Sequence, residues 1–96
     1  MNEDDIRVED VPERSRYELT VGGKRRGLAT YRLEDGRMVI PHTEVDPAYE
    51  GRGLGARLAR YALDDARARG LKVVPACPFI EVYIRRHPDY ADLVAE

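Results

Sequence analysis

Two glycine turns decide what the first half of this chain can become. Gly22-Gly23 is a two-residue hairpin turn, and Glu34-Asp35-Gly36 ends in Asp-Gly, a strong hairpin signal. The residues around them alternate as half-buried strands do. In 15–21, Tyr17, Leu19 and Val21 fall on one face, and Arg16, Glu18 and Thr20 on the other. A second strand, about 25–33, puts Ala29, Tyr31 and Leu33 on one face. A third runs from about Arg37 to Val45. Tight turns join neighbours, so these three strands form an antiparallel meander. Residues 1–14 are polar, with a short strand expected at Ile6–Val8.

Asp46-Pro47 stops the third strand. A helix is expected from about Leu54 to Arg69. Its inward stripe reads Leu54, Leu58, Tyr61, Ala62, Asp65 and Ala66, and Gly70 is a typical stop. Residues 71–76, Leu-Lys-Val-Val-Pro-Ala, form a short apolar strand. A strand, a helix and a strand in succession make a crossover, so this strand should lie parallel to the third. Pro78 opens a second helix, about 79–86, with Phe79, Val82, Tyr83 and Arg86 along one side, and Pro88 ends it. A terminal turn is expected within 90–94. The fold class is therefore α+β: an antiparallel meander extended by one parallel strand and packed on a central helix.

With 96 residues the chain has the size of one domain, 1–96, whose core is expected at about 15–94. The net charge of −2 argues against a dedicated nucleic-acid binder, which would be clearly basic. Fourteen of the sixteen basic residues are arginine, which suits planar anion recognition better than lysine would. No segment approaches 20 consecutive apolar residues, so no membrane span is expected. One cysteine and no secretion signal make the cytoplasm the expected compartment.

Residues 48–58, AYEGRGLGARL, carry glycines at 51, 53 and 55 in front of the helix. Free amides and the helix dipole converge on such a turn, and glycine lets an anion come close. A P-loop would need Gly-Lys-Ser/Thr where this chain has Gly-Leu-Gly-Ala. Gly51-x-Gly53-x-x-Ala56 fits a dinucleotide fingerprint, but the preceding strands are antiparallel and the next strand ends without a ribose-binding acid. A plain tight loop would need one glycine rather than three.

The stretch resembles the acyl-CoA loop of the Gcn5-related N-acetyltransferases, written Q/R-x-x-G-x-G/A. Gly53 and Gly55 match its glycines, while Glu50 stands where Gln or Arg is usual. Residues 42–55, 71–79 and 83–90 extend the resemblance to the small, single-domain branch of that superfamily. The resemblance implies a minimal acyl-CoA N-acyltransferase fold without N-terminal helices. It also implies acetyl-CoA as acyl donor, no metal, and a pyrophosphate held by backbone amides. The implied donor-binding residues are Val45, Glu50, Gly51, Arg52, Gly53, Leu54, Gly55, Ala56 and Arg86. The Glu50 carboxylate should point away from the diphosphate. Arg57, Arg85 and His87 are further candidates for the nucleotide phosphates.

Four residues are candidates for chemistry. His42 and Glu44, two apart on a strand, share a face, with Thr43 on the other, and either could take a proton from an amine. Cys77 sits in Pro75-Ala76-Cys77-Pro78 at a strand end and a helix start. It is either a nucleophile that carries acetyl or a wall of the thioester pocket. Tyr83 is placed by the resemblance as the phenol that protonates the departing thiolate; as a bare residue it is equally a core tyrosine. The function expected is acetyl transfer directly to an amine acceptor. A non-catalytic CoA-binding module and transfer through Cys77 are the alternatives. The acceptor, a small amine or a protein, and the oligomeric state stay open.

Overall fold

The computed structural model describes residues 5–95. Five strands lie in the order β1 (Ile6–Val11), β2 (Arg16–Val21), β3 (Lys24–Glu34), β4 (Arg37–Val45) and β5 (Lys72–Val74). The first four pair antiparallel, and β5 pairs parallel to β4. Helix α1 (Leu54–Ala68) makes the crossover between β4 and β5, and α2 (Pro78–Arg86) follows. Both hairpin turns have the form expected of their sequences. Gly22 and Gly23 both have positive φ, and so do Asp35 and Gly36, the geometry that matches strand twist in a two-residue turn. The polar N-terminal stretch contributes a full edge strand, β1, rather than the three residues expected.

The core lies between one face of the sheet and α1. Tyr17 and Leu19 of β2, Ala29 of β3, and Met38 and Ile40 of β4 meet Leu58, Ala59, Ala62, Leu63 and Ala66 of α1. The inward stripe of α1 differs from the expected one in two places. Ala59 and Leu63 are fully buried, while Tyr61 is 39% exposed. Asp65 keeps its inward position because it accepts a hydrogen bond from the Tyr17 hydroxyl at 2.7 Å and pairs with Arg69 at 3.1 Å. A half-buried carboxylate without such partners would be costly.

Tyrosine–aspartate bonds tie the layers together. Tyr31 donates to Asp10 at 2.6 Å, and Tyr90 donates to Asp64 at 2.7 Å. Arg67 grips both carboxylate oxygens of Asp92, at 2.9 and 3.0 Å, and holds the C-terminal turn (Pro88–Leu93) on α1. Burial, and next the bond to an aspartate, push Tyr31 and Tyr90 up from 10.0 to about 12. The folded phenols stay protonated where unfolded ones ionise. Their contribution to stability is whole below about pH 10 and is lost as pH rises from about 10 to 12. Circular dichroism should record a steep fall in stability over that interval, flattened in Tyr31→Phe. An unchanged slope in the variant would contradict this assignment.

Two irregularities in β4 prepare the site. First, Thr30 pairs with His42 but Arg32 pairs with Val39, so β4 carries an extra residue opposite Tyr31. Pro41 lies inside that bulge, where a missing N–H costs no ladder bond. Second, pairing with β5 stops at Val39–Val74, while β4 runs on to Val45. Pro75 cannot donate, and the Cys77 N–H returns to the Ile40 carbonyl at 2.9 Å. The two parallel strands therefore separate, and β5 is three residues long rather than the six expected.

Candidate functional site

A cleft of about 490 Å³ opens where β4 and β5 separate. Its walls come from three places: the end of β4, the glycine turn with the start of α1, and α2. Most of its lining is apolar, and Val45, Tyr49, Leu54, Phe79 and Val82 are part of it.

The glycine turn has a separate cause at each glycine. Gly51 and Gly53 have φ of +83° and +74°, with open space where a side chain would stand. Any L-residue there is strained by its backbone alone. Gly55 has ordinary helical geometry, but a Cβ would lie 2.8 Å from the Phe79 ring. It is small so that Phe79 can lie against the helix. Gly53 is the N-cap of α1 and offers no side-chain acceptor. The first bond of α1 runs from the Arg57 N–H to the Gly53 carbonyl at 3.2 Å. The amides of Leu54, Gly55 and Ala56 thus have no partner within the helix, and all three residues line the cleft. With the positive end of the dipole behind them, they form a donor set for an anion.

The bulge in β4 decides what faces the cleft. Beyond it, Thr43 pairs with fully buried Ala29, and Val45 packs on the core, so both point to the helix side. His42 and Glu44 point to the outer face, 3.6 Å apart, each 58% exposed. They share a face, as their spacing requires. Glu44 and Thr43 line the cleft, and His42 does not. The hydroxyl oxygen of Thr43 is buried without a hydrogen-bond partner, an orphaned polar atom in the wall.

On the opposite wall, Tyr83 is 9% exposed and stacks on His87 with ring centroids 4.0 Å apart. His87 Nδ1 lies 2.8 Å from the Tyr83 carbonyl oxygen, which accepts, so this nitrogen carries the proton. Burial pushes the Tyr83 phenol up; Arg60 opposes this and Asp64 adds to it.

The cleft thus gathers Glu44, Val45, Glu50, Gly51, Gly53, Leu54, Gly55, Ala56, Tyr83, Arg86 and His87. Five other candidates stand apart. Arg52 lies over the Tyr49 ring, 4.8 Å from its centroid, and lines no part of the cleft. Cys77 is 6% exposed and packs in the core beneath α2, outside the lining. Its backbone bond to Ile40 ties the start of α2 to the edge of β4. His42 stands on the outer face. Arg57 borders a second groove beside β1, and Arg85 pairs with Glu81 at 2.7 Å. Thr43 and Tyr49 line the cleft without having been singled out. Tyr49, an aromatic directly before the glycines, is the one that a closer look at the loop could have found.

Residues 16–93 match the sequence profile described as GCN5-related N-acetyl-transferase. This chain belongs to the GCN5-related N-acetyltransferase family. Family members use acetyl-CoA as donor. The mouse protein NATD1 is 35% identical over 85 residues, covering 86% of this chain and 77% of that one. Streptothricin acetyltransferase of Streptomyces lavendulae is 36% identical over 70 residues, 71% of this chain but 37% of that enzyme. A GCN5-like protein of Staphylococcus aureus, solved by NMR, superposes with a TM-score of 0.72 at 22% identity, covering 99% of this chain and 91% of that one. A ribosomal-protein alanine N-acetyltransferase of Escherichia coli gives 0.63 at 23% identity, over 76% of this chain and half of that one. These two likenesses carry the fold: a five-stranded mixed sheet with helices, as in other members of the family.

Proposed function

We propose that this chain binds acetyl-CoA in the cleft and transfers its acetyl group directly to an amine. The observation that carries this reading is the uncapped start of α1, opening on the gap between β4 and β5 in a chain of this family. The residues suit the donor. The amides of Leu54–Ala56 and the two positive-φ glycines cradle a diphosphate with backbone. Arg86 and His87 stand at the same cleft for further phosphate charge. The apolar wall takes the uncharged arm, and the free edge of β4 offers N–H groups to a thioester oxygen.

Acetyl-CoA supplies an acetyl group on a good leaving thiol. The chain's own residues handle the protons. Glu44, on the outer face yet bordering the cleft, accepts the proton that the amine loses as its nitrogen bonds to the acetyl carbon. His42 beside it is the alternative acceptor. Tyr83, held protonated by its buried setting, gives a proton to the sulfur as the carbon–sulfur bond breaks. Cys77 is left to packing, because its burial outside the lining gives it no reach to the cleft.

The test is thiol release from acetyl-CoA across a panel of amines, with intact mass of the protein recorded alongside. Amine-dependent release from both the wild type and Cys77→Ala supports direct transfer. A protein that gains an acetyl mass on Cys77, and loses activity in Cys77→Ala, would overturn it.

A further inference from the structure

A second depression, of about 180 Å³, lies across β4 from the cleft and shares Glu44 and Val45 with it. The end of β4 is thus the partition between the two. On the far side stand Arg25, Arg26 and Leu28 of β3. This depression is where an amine could reach Glu44 from the outer face of the sheet, and its charges bear on which amine that is.

The arginines are not equivalent. Arg26 is fixed in place, with Nη1 on Asp46 at 3.1 Å and its guanidinium 4.8 Å from the Tyr49 ring centroid, while its buried Nε has no partner among the described residues. Arg25 is held more loosely. Its side chain is 47% exposed, and its ion pair among the described residues is a long one, 3.7 Å, to Glu18. Glu18 is already taken, by Arg16 at 2.7 Å and by Arg14 at 3.7 Å. Three guanidiniums therefore gather on one carboxylate. Glu9, cross-strand from Glu18, adds one negative charge, and the group still keeps a positive surplus. The depression thus presents the Glu44 carboxylate at the partition and, along the same lining, a loosely paired guanidinium on Arg25. A polybasic amine would be repelled by the second, and a bare amine would leave it unused.

Resting on the function proposed above, we infer that the acceptor is an amine that carries a carboxylate close to its nitrogen. The amine meets Glu44, and Arg25 takes the carboxylate. Arg25 is a specificity-determining residue in this scheme, since guanidinium matches a carboxylate in planar, paired geometry. A free amino acid and an acidic peptide N-terminus share this chemistry.

The test compares acetyl transfer to glutamate, an Ala-Glu-Glu peptide, an Ala-Gln-Gln peptide and spermidine, for wild type and Arg25→Gln. The wild type should favour one or both carboxylate acceptors over the other two by about tenfold in kcat/KM, the scale of one partly exposed charge-assisted contact. Glutamate against the peptide tells which source is used. Arg25→Gln should erase that preference by raising KM for the carboxylate acceptors, with kcat and the neutral peptide unchanged. Arg25 is exposed, so the variant should fold, and its melting curve checks this. A preference for spermidine, equal use of all acceptors, transfer to none, or an equal loss on every acceptor in Arg25→Gln would overturn the inference. A calorimetric titration with coenzyme A separates the failures. Binding with no carboxylate preference defeats this inference alone, whereas no binding defeats the proposed function as well.

Discussion

Gly53→Val is expected to weaken coenzyme A binding by about a hundredfold or more while the fold survives. Position 53 has φ of +74° and caps α1. A β-branched residue there meets more than the roughly 1–2 kcal/mol that the left-handed conformation costs an ordinary one. The strain is relieved by turning the peptide, which re-aims the Leu54–Ala56 amides. Charge-assisted bonds are worth about 1.5–3 kcal/mol each, so losing two exceeds two factors of ten. Nothing lies within 4 Å of the position a Cβ would take, so the core is not disturbed. Gly53→Ala should fall between wild type and valine. Calorimetry gives the affinity and circular dichroism the fold. Unchanged affinity in a folded Gly53→Val would place the ligand elsewhere.

The second large effect belongs to Tyr83→Phe. Loss of the phenol should lower kcat by about 10²- to 10⁴-fold, the usual worth of a positioned acid, and leave KM for acetyl-CoA little changed. The ring and its stack on His87 remain, so packing is preserved. Burial holds the wild-type phenol protonated beyond the ordinary tyrosine range. Activity in the wild type should accordingly persist to alkaline pH and decline where the phenol ionises. That alkaline limb should be missing from the residual activity of the phenylalanine variant. A raised KM with kcat intact would instead make Tyr83 a packing residue.

Much of the fold was legible because it is written in local rules. Gly22-Gly23 and Asp35-Gly36 name their turns, and the strands between them alternate. The parallel placement of β5 followed from the crossover. Other features depend on neighbours that a sequence does not display. Helix α2 has two apolar stripes. Phe79, Val82, Tyr83 and Arg86 do form one side, but that side walls the cleft, while Ile80, Tyr83 and Ile84 face the core. Periodicity gives a stripe and not what it faces. The same limit made Tyr61 of α1 look inward and left Ala59 and Leu63 out of the expected stripe. Cys77 stands at a helix start as its position suggested, yet its side chain packs in the core and is 6% exposed. The bulge at Pro41 is a matter of register, so the outward turn of His42 and the inward turn of Thr43 follow from pairing and not from alternation alone. Within the glycine stretch the reading sharpened. Two glycines serve a left-handed backbone, and the third makes room for Phe79.

In the function proposed, the start of α1 and the glycine turn hold the acyl donor. Titrating ¹⁵N-labelled protein with coenzyme A tests it residue by residue. Saturable shifts are expected well below millimolar ligand, largest at the amides of Gly53, Leu54, Gly55 and Ala56, with smaller ones at Tyr83 and Arg86. No shift at millimolar coenzyme A, or shifts centred on the groove at Arg57–Tyr61 instead, would contradict it.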